Sequence, residues 1–280
     1  MRLHIQHQTK YQYEEKVPLN PHQLFLIPQQ RTYFQIKKAN WDIYPQPVGK
    51  NQRINAEGNP FFQVWFNVET DVLKVNVDLE IEAFDFNPFS FILSPDIPYP
   101  FQNFVYHGNT GEFLKIYKQT EAFPELTEFA SSIMRQSPDI VSFLVKLLDQ
   151  IHNNWSHGLR YEPGLLHPMD TFATKEGSCR DLSWMLMAML RNLGMATRFV
   201  SGYAFNPEVD AGHELHGWIE VYLPGAGWVG LDPSLGLFTD HHYIPLASSF
   251  HPSHTLPISG TYGGAATSSF SSEVWIDEIF

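Results

Sequence analysis

From Leu73 to Ala83 the chain alternates without a break: Leu73, Val75, Val77, Leu79, Ile81 and Ala83 are apolar, and Lys74, Asn76, Asp78, Glu80 and Glu82 between them are polar or charged. A period of two over that length fits a β-strand with one face on a core and the other in water, because a helix would scatter the same residues around its axis. One wet face also favours an antiparallel sheet, since parallel sheets are covered on both sides. Phe62, Val64, Phe66 and Val68 repeat the pattern after the turn residues Gly58-Asn59-Pro60, and shorter aromatic or β-branched runs lie at Leu3 to Tyr13 and Gln35 to Tyr44. With proline-bearing turns between them, these segments predict an antiparallel β-sandwich. No ionisable cluster with catalytic spacing occurs here, so this part reads as a structural or binding module.

Between Asn87 and Phe123 the chain is rich in proline and aromatics without a clear period, which predicts a connecting segment. Helical signals follow it. Ser137-Pro138 reads as a helix start, and Ile140, Leu144, Leu147, Leu148 and Ile151 recur on one buried face. The expected division is therefore residues 1–110 for the sandwich with its connecting segment and residues 111–280 for a second unit, the one that holds the candidate site described below. With 280 residues, 43% of them hydrophobic and 17% charged, the chain has the material for two such units.

The formal net charge of −12, with no basic run, repels phosphate backbones and anionic membranes, so neither nucleic acid nor membrane is expected as a partner. The opening MRLHIQHQTKYQY lacks the charged region, apolar run and small-residue site of a leader, and no apolar stretch is long enough to span a bilayer. A cytoplasmic location is the resulting expectation. The single cysteine, Cys179, rules out an intrachain disulfide and leaves a free thiol.

That thiol sits in a segment with a full set of helix instructions, Gly177 to Gly194. Ser178 and Asp181 form the S-x-x-D variant of a capping box, Leu182, Leu186, Met189, Leu190 and Leu193 make an apolar stripe, and Gly194 supplies a left-handed stop. Cys179 falls on the first helical position, off the stripe, where unpaired N–H groups and the positive end of the helix dipole favour a thiolate. The same donors can stabilise charge on a carbonyl oxygen attacked by the sulfur. The competing explanation is a small residue that merely lets the helix start close to another segment.

Downstream, residues 196–202 read as a strand and residues 216–233 as a hairpin turning at Pro224, Gly225 and Gly227. If Tyr222 lies opposite Trp228, His216 faces position 234, and Asp232 projects to the same side one diagonal step away. A slip of one residue would separate them onto opposite faces. Nucleophile, base and orienting carboxylate then follow in order as Cys179, His216 and Asp232, the set that thiol acyl transfer requires.

GSCRD, RFVSGY, HGWIEVYLPGAGW and LDP, in this order, resemble the bacterial transglutaminase-like cysteine enzymes, whose catalytic cysteine, histidine and aspartate fall on Cys179, His216 and Asp232. YQYEEKV, LIPQQ and EGNPFFQVWF are similar to the β-sandwich that precedes the core in bacterial members, and residues 241–260 to the segment that closes it. Two positions depart from the pattern: Gly217, where many members have alanine, and Ser234, where threonine is common. The resemblance implies an α+β protein, an N-terminal antiparallel β-sandwich followed by a papain-like, transglutaminase-like core. It also implies attack of Cys179 on a carboxamide or peptide carbonyl of a peptide or protein, with no cofactor. Water as acceptor makes a cysteine protease-like hydrolase, a peptidase or deamidase, which is the preferred expectation; an amine as acceptor makes a transglutaminase.

Tyr161 and Trp218 are candidates to line the acyl site, against the plainer role of aromatic packing. A metal site built from His213, His216, His241, His242 and Asp232 is the rival chemistry, but no H-E-x-x-H helix or second cysteine supports it, so no metal is expected. A non-catalytic peptide- or protein-binding module is the rival of a different class, and the filled catalytic positions argue against it.

Overall fold

The alternating segment is the spine of the first sheet. In the computed structural model, which describes residues 1–95, 97–158, 160, 164–207 and 215–279, the first strands are β1 (Arg2–Pro18), β2 (His22–Leu24), β3 (Phe34–Tyr44), β4 (Gly49–Ile54), β5 (Pro60–Trp65) and β6 (Glu69–Ala83). Along β6 every second residue from Leu73 to Ala83 is buried, as its pattern requires. β6 lies antiparallel between β1 and β3, with Leu3 opposite Ile81 and Ile5 opposite Leu79. A second sheet contains β2, β5 and β4. Leu3, Ile5, Leu79 and Ile81 of the first sheet share one core with Leu24, Phe62 and Val64 of the second, which makes the pair a sandwich. The alternation read from Phe62 to Val68 stops short: β5 ends at Trp65 and Val68 is exposed, because the chain must turn there to enter β6.

The second unit opens with α1 (Gly108–Phe113), α2 (Pro124–Arg135) and α3 (Ile140–Asn154). The cap of α3 is Asp139 rather than Ser137, since the Asp139 carboxylate accepts the Ser142 N–H at 2.8 Å while the Ser137 hydroxyl donates back to Ile133 O. There follow β7 (Ser156–His157), α4 (Pro168–Thr174), β8 (Glu176–Gly177) and α5 (Cys179–Asn192). The stripe predicted for α5 is buried, but so are Met185, Met187 and Ala188 on its other faces. α5 is thus the central helix of this unit, packed against α2, α4 and the following sheet, and each large side chain sealed there contributes about 1.5–3 kcal/mol. Gly194 ends it at φ 84°, and a side chain there would collide with Asn103 and Phe104.

The sheet under α5 has the order β12 (Leu237–Phe238), β11 (Gly227–Asp232), β10 (Leu215–Leu223), β9 (Thr197–Ala204), β13 (Tyr243–Ser249). It too is antiparallel, which gives the α+β architecture expected. The chain then returns to the sandwich. β14 (Ile258–Ser259) pairs with β2, and β15 (Ser268–Ile279) pairs along β1, so residues 258–279, assigned above to the second unit by sequence order, extend the sheets of the first. Tyr203, Ile244 and Leu246 enter the sandwich core from β9 and β13, and this shared burial fuses the two units. Among the described residues no helix is long and apolar enough to cross a membrane.

Candidate active site

Cys179 occupies the first position of α5 and is partly exposed. Its placement depends on Asp181, which is fully buried at the third helical position. The Ser178 N–H and hydroxyl both donate to Asp181 Oδ2, at 3.0 and 2.7 Å, closing the acidic half of the predicted capping box. Arg160 adds two contacts of 3.0 Å to the same carboxylate, and the Leu166 N–H donates to it at 2.8 Å. A buried, fivefold-bonded carboxylate therefore locks the turn that carries the sulfur and ties the preceding loop to it.

The histidine and aspartate come from the hairpin of β10 and β11, and its register is the one expected, with Tyr222 opposite Trp228. His216 Nε2 meets Asp232 Oδ2 at 2.7 Å. Asp232 is completely buried, and its other donors are the Tyr243 hydroxyl at 2.8 Å on Oδ2 and, on Oδ1, the Ser234 hydroxyl at 2.6 Å, the Ser234 N–H at 2.9 Å and the Leu235 N–H at 3.3 Å. With Nε2 committed to the carboxylate, the remaining ring nitrogen of His216 is the one that serves the thiol. The sulfur lies within hydrogen-bonding reach of the His216 ring, of the His157 ring and of the Gly217 N–H.

These contacts set the charges. Burial by itself raises a thiol pKa, but the His216 charge and the bonds from His157, His216 and Gly217 outweigh it and bring Cys179 down to about 6. Burial lowers an imidazole, yet the charges of Asp232 and Cys179 hold His216 well above its ordinary value. Asp232, which burial would raise, is pulled down to about 2 by His216 and by the bonds from Ser234 and Tyr243. At neutral pH the resting pair is a thiolate facing an imidazolium, backed by an ionised carboxylate.

The structure thus brings together the three residues predicted from spacing. The expectation for Trp218 is corrected: it is 1% exposed, packed edge-on to Tyr243 and stacked beside His216, so it backs the imidazole and presents no surface to a substrate. Tyr161 and His213 lie outside the described residues. His241 and His242 gather with Asp240, their ligand atoms within 4.8 Å of one another, while Asp232 and His216 are engaged with each other. The metal set drawn from the sequence is therefore not assembled as one group among the described residues. A hollow lined by Ile97, Tyr106, Tyr222 and Pro224 sits at the opposite end of β10 from His216 and takes no part in the site.

Sequence reasoning missed Tyr243 and His157. Tyr243 reaches Asp232 because β13 joins the sheet beside β9, a long-range pairing that no local spacing announces. His157 is delivered by the parallel pairing of β7 with β8, each only two residues long, below the length at which a period can be read.

Residues 127–233, which contain this entire triad, match the model of the transglutaminase-like superfamily, and residues 3–82 match that of the bacterial transglutaminase-like N-terminal region. The chain belongs to the transglutaminase-like superfamily. Protein Mb2599c of Mycobacterium bovis is 23% identical over 262 residues, covering 87% of this chain and 82% of its own. YebA of Bacillus subtilis is 34% identical over 76 residues, a match that takes in 23% of this chain and spans only 10% of YebA. The crystal structure of a candidate cysteine protease from Cytophaga hutchinsonii superposes with a TM-score of 0.69 at 19% identity, over 100% of this chain and 92% of that one, a likeness of fold. In this transglutaminase-like protein Ser234 keeps the hydroxyl on Asp232 that the more common threonine also carries. Gly217 has a local reason: a Cβ there would come within 2.9 Å of Phe199 and 3.3 Å of Arg180.

Proposed function

We propose that this protein is a cysteine-dependent acyl-transfer enzyme that hydrolyses amide bonds of peptides or proteins, as a peptidase or deamidase. The observation that carries the reading is the alignment of a thiol at a helix N-terminus, an imidazole and a buried carboxylate, with His216 bonded to Asp232 at 2.7 Å. The Cys179 thiolate attacks the carbonyl carbon and the carbonyl electron pair moves to oxygen. As the intermediate collapses, the C–N bond breaks and the His216 imidazolium gives its proton to the departing amine or ammonia. Water, losing a proton to the now neutral imidazole, then cleaves the thioester and restores the thiolate.

Water is favoured as the acceptor because both reacting groups meet solvent: Cys179 is partly exposed and the His216 side chain is 15% exposed. Transfer to a lysine or polyamine needs the same first step and a site that holds the amine ahead of water. A screen of mixed peptides that follows hydrolysis and amine incorporation side by side, with Cys179→Ala as control, decides between them. Release of amine or ammonia without incorporation is expected, abolished in the variant; wild type and Cys179→Ala behaving alike on every substrate would remove the enzymatic reading.

A further inference from the structure

Two imidazoles reach the sulfur, and they arrive from separate elements. His216 is on β10. His157 is on β7, whose parallel pairing sets it opposite Gly177, two residues before Cys179. That placement is firm. Trp155, which begins the segment, is buried and donates through Nε1 to Thr171 O at 3.0 Å, the Ser156 N–H donates to Lys175 O at 2.8 Å, and the Gly158 N–H donates to Gly177 O at 3.1 Å. β8 then runs straight into the capped turn of α5, so the His157 backbone and the nucleophile share one rigid frame. The His157 side chain itself remains exposed to the solvent from which a substrate arrives.

The two rings are not equivalent. Among the described residues, His216 is the one of the pair backed by a carboxylate, and a base needs that support to hold its tautomer and its positive charge. A donor to a developing negative charge does not; it needs only an N–H held at the right place beforehand. In the tetrahedral intermediate the oxyanion stands two bonds from the sulfur, so a donor touching the resting sulfur is within reach of that oxygen. The backbone N–H of Cys179, at the first helical position and without an intrahelical acceptor, is the natural second donor.

Resting on the acyl-transfer reading of Cys179, we infer that His157 is the side-chain half of the oxyanion site, its ring N–H moving from the sulfur to the carbonyl oxygen as the carbon–sulfur bond forms. It is a catalytic residue in the strict sense, in contact with reacting atoms at both stages, and its task is separate from the proton transfers of His216.

Two reactions of the same sulfur test this. Acylation by p-nitrophenyl acetate passes through an oxyanion and releases p-nitrophenolate; alkylation by iodoacetamide displaces iodide and forms none. In His157→Ala the acylation rate is expected to fall by about 10²–10³-fold, the cost of one oxyanion donor, with alkylation changed less than about tenfold. His157→Gln, which retains an N–H donor, is expected to recover at least about tenfold of the loss. A parallel fall of both reactions would assign His157 to the thiolate alone, and no change in either would make it a bystander; both overturn the inference. Acylation persisting in Cys179→Ala would instead overturn the acyl-transfer reading itself, and the role of His157 with it. The alkylation rate also reports whether the His157 variants keep a folded site.

Discussion

Two buried carboxylates stand on adjacent strands of one sheet and are treated in opposite ways. Glu220, on β10, is 7% exposed and lies directly opposite Arg198, whose Nε donates to it at 2.6 Å; Arg31, from the sandwich, meets its other oxygen at 3.2 Å. Arg198 in turn lies over the Trp228 ring at 4.4 Å. Asp232, on β11, is buried more deeply still, but its partners are an imidazole, two hydroxyls and backbone N–H groups. Burial raises the pKa of both, and their partners lower both in return. The difference lies in the partner. A guanidinium stays charged, so the Glu220 cluster is a fixed clamp between the sandwich and the sheet under α5; an imidazole can give its proton away, so the Asp232 cluster can change state during a reaction. Burial of charge marks both sites, and only a titratable partner makes one of them chemical.

The comparison breaks most visibly at Asp232. Asp232→Asn keeps the shape, removes the charge and lets His216 adopt the wrong tautomer, so turnover is expected to fall by about 10⁴-fold. The alkylation profile of Cys179 should shift toward higher pH in the same variant, because the imidazolium that stabilises the thiolate has lost its counter-charge. Steady-state kinetics on a substrate found in the peptide screen, with the iodoacetamide profile beside them, check this; a loss below tenfold would mean that the carboxylate is as structural as Glu220.

Glu220→Gln is the reciprocal change. It leaves two guanidiniums over a neutral amide, and an uncompensated buried charge of this kind costs about 3–5 kcal/mol. The urea midpoint should drop accordingly while the pH profile of Cys179 alkylation stays where it was. Lost thiol reactivity at unchanged stability would show that the two clusters are coupled along β10, and the distinction would fail.

The titration itself gives a third measurement. With Cys179 brought down to about 6, alkylation is expected to rise as pH increases through about 6, since deprotonation produces the thiolate, and to be near its plateau at neutral pH. Acylation needs the thiolate and the imidazolium together, so it should rise over the same range and decline only at alkaline pH, where His216, held well above its ordinary value, loses its proton. An alkylation midpoint in the ordinary thiol range, near 8.5, would return Cys179 to the status of an inert cysteine.

How far the sequence carries depends on whether a feature is local. The alternation of Leu73 to Ala83 states its strand and its buried face outright, and the Pro224-Gly225-Ala226-Gly227 turn is enough to predict the register that joins His216 to Asp232. The capped start of α5 fixes the cysteine in the same way. What stays hidden is made by pairings across long stretches of chain. β15 lies against β1 at the far end of the sequence, Arg31 reaches Glu220 across 189 residues, and Tyr243 finds Asp232 only because β13 flanks β9. Which of its two readings holds for Trp218 is hidden for a related reason: its place in the strand is readable, but not that Tyr243 and Val200 pack against it.

The smallest expected effect concerns the donor that stands at Asp232 where Glu220 has a guanidinium. The Ser234 hydroxyl sits 2.6 Å from Asp232 Oδ1, yet the Ser234 and Leu235 N–H groups bond the same oxygen, so its removal leaves the carboxylate partly satisfied. A hydrogen bond to a charged group contributes about 1.5–3 kcal/mol net, and with two backbone donors remaining only part of that should appear in turnover, about tenfold for Ser234→Ala. Ser234→Thr keeps the hydroxyl and adds a methyl at a site that is 4% exposed, so it should stay within about threefold if the methyl finds room. Measuring both variants separates hydroxyl from packing: equal losses would show that volume at position 234 governs the site, whereas a loss confined to alanine would show that a neutral donor steadies the Asp232 charge without fixing the His216 proton, the task that the arginines around Glu220 cannot perform.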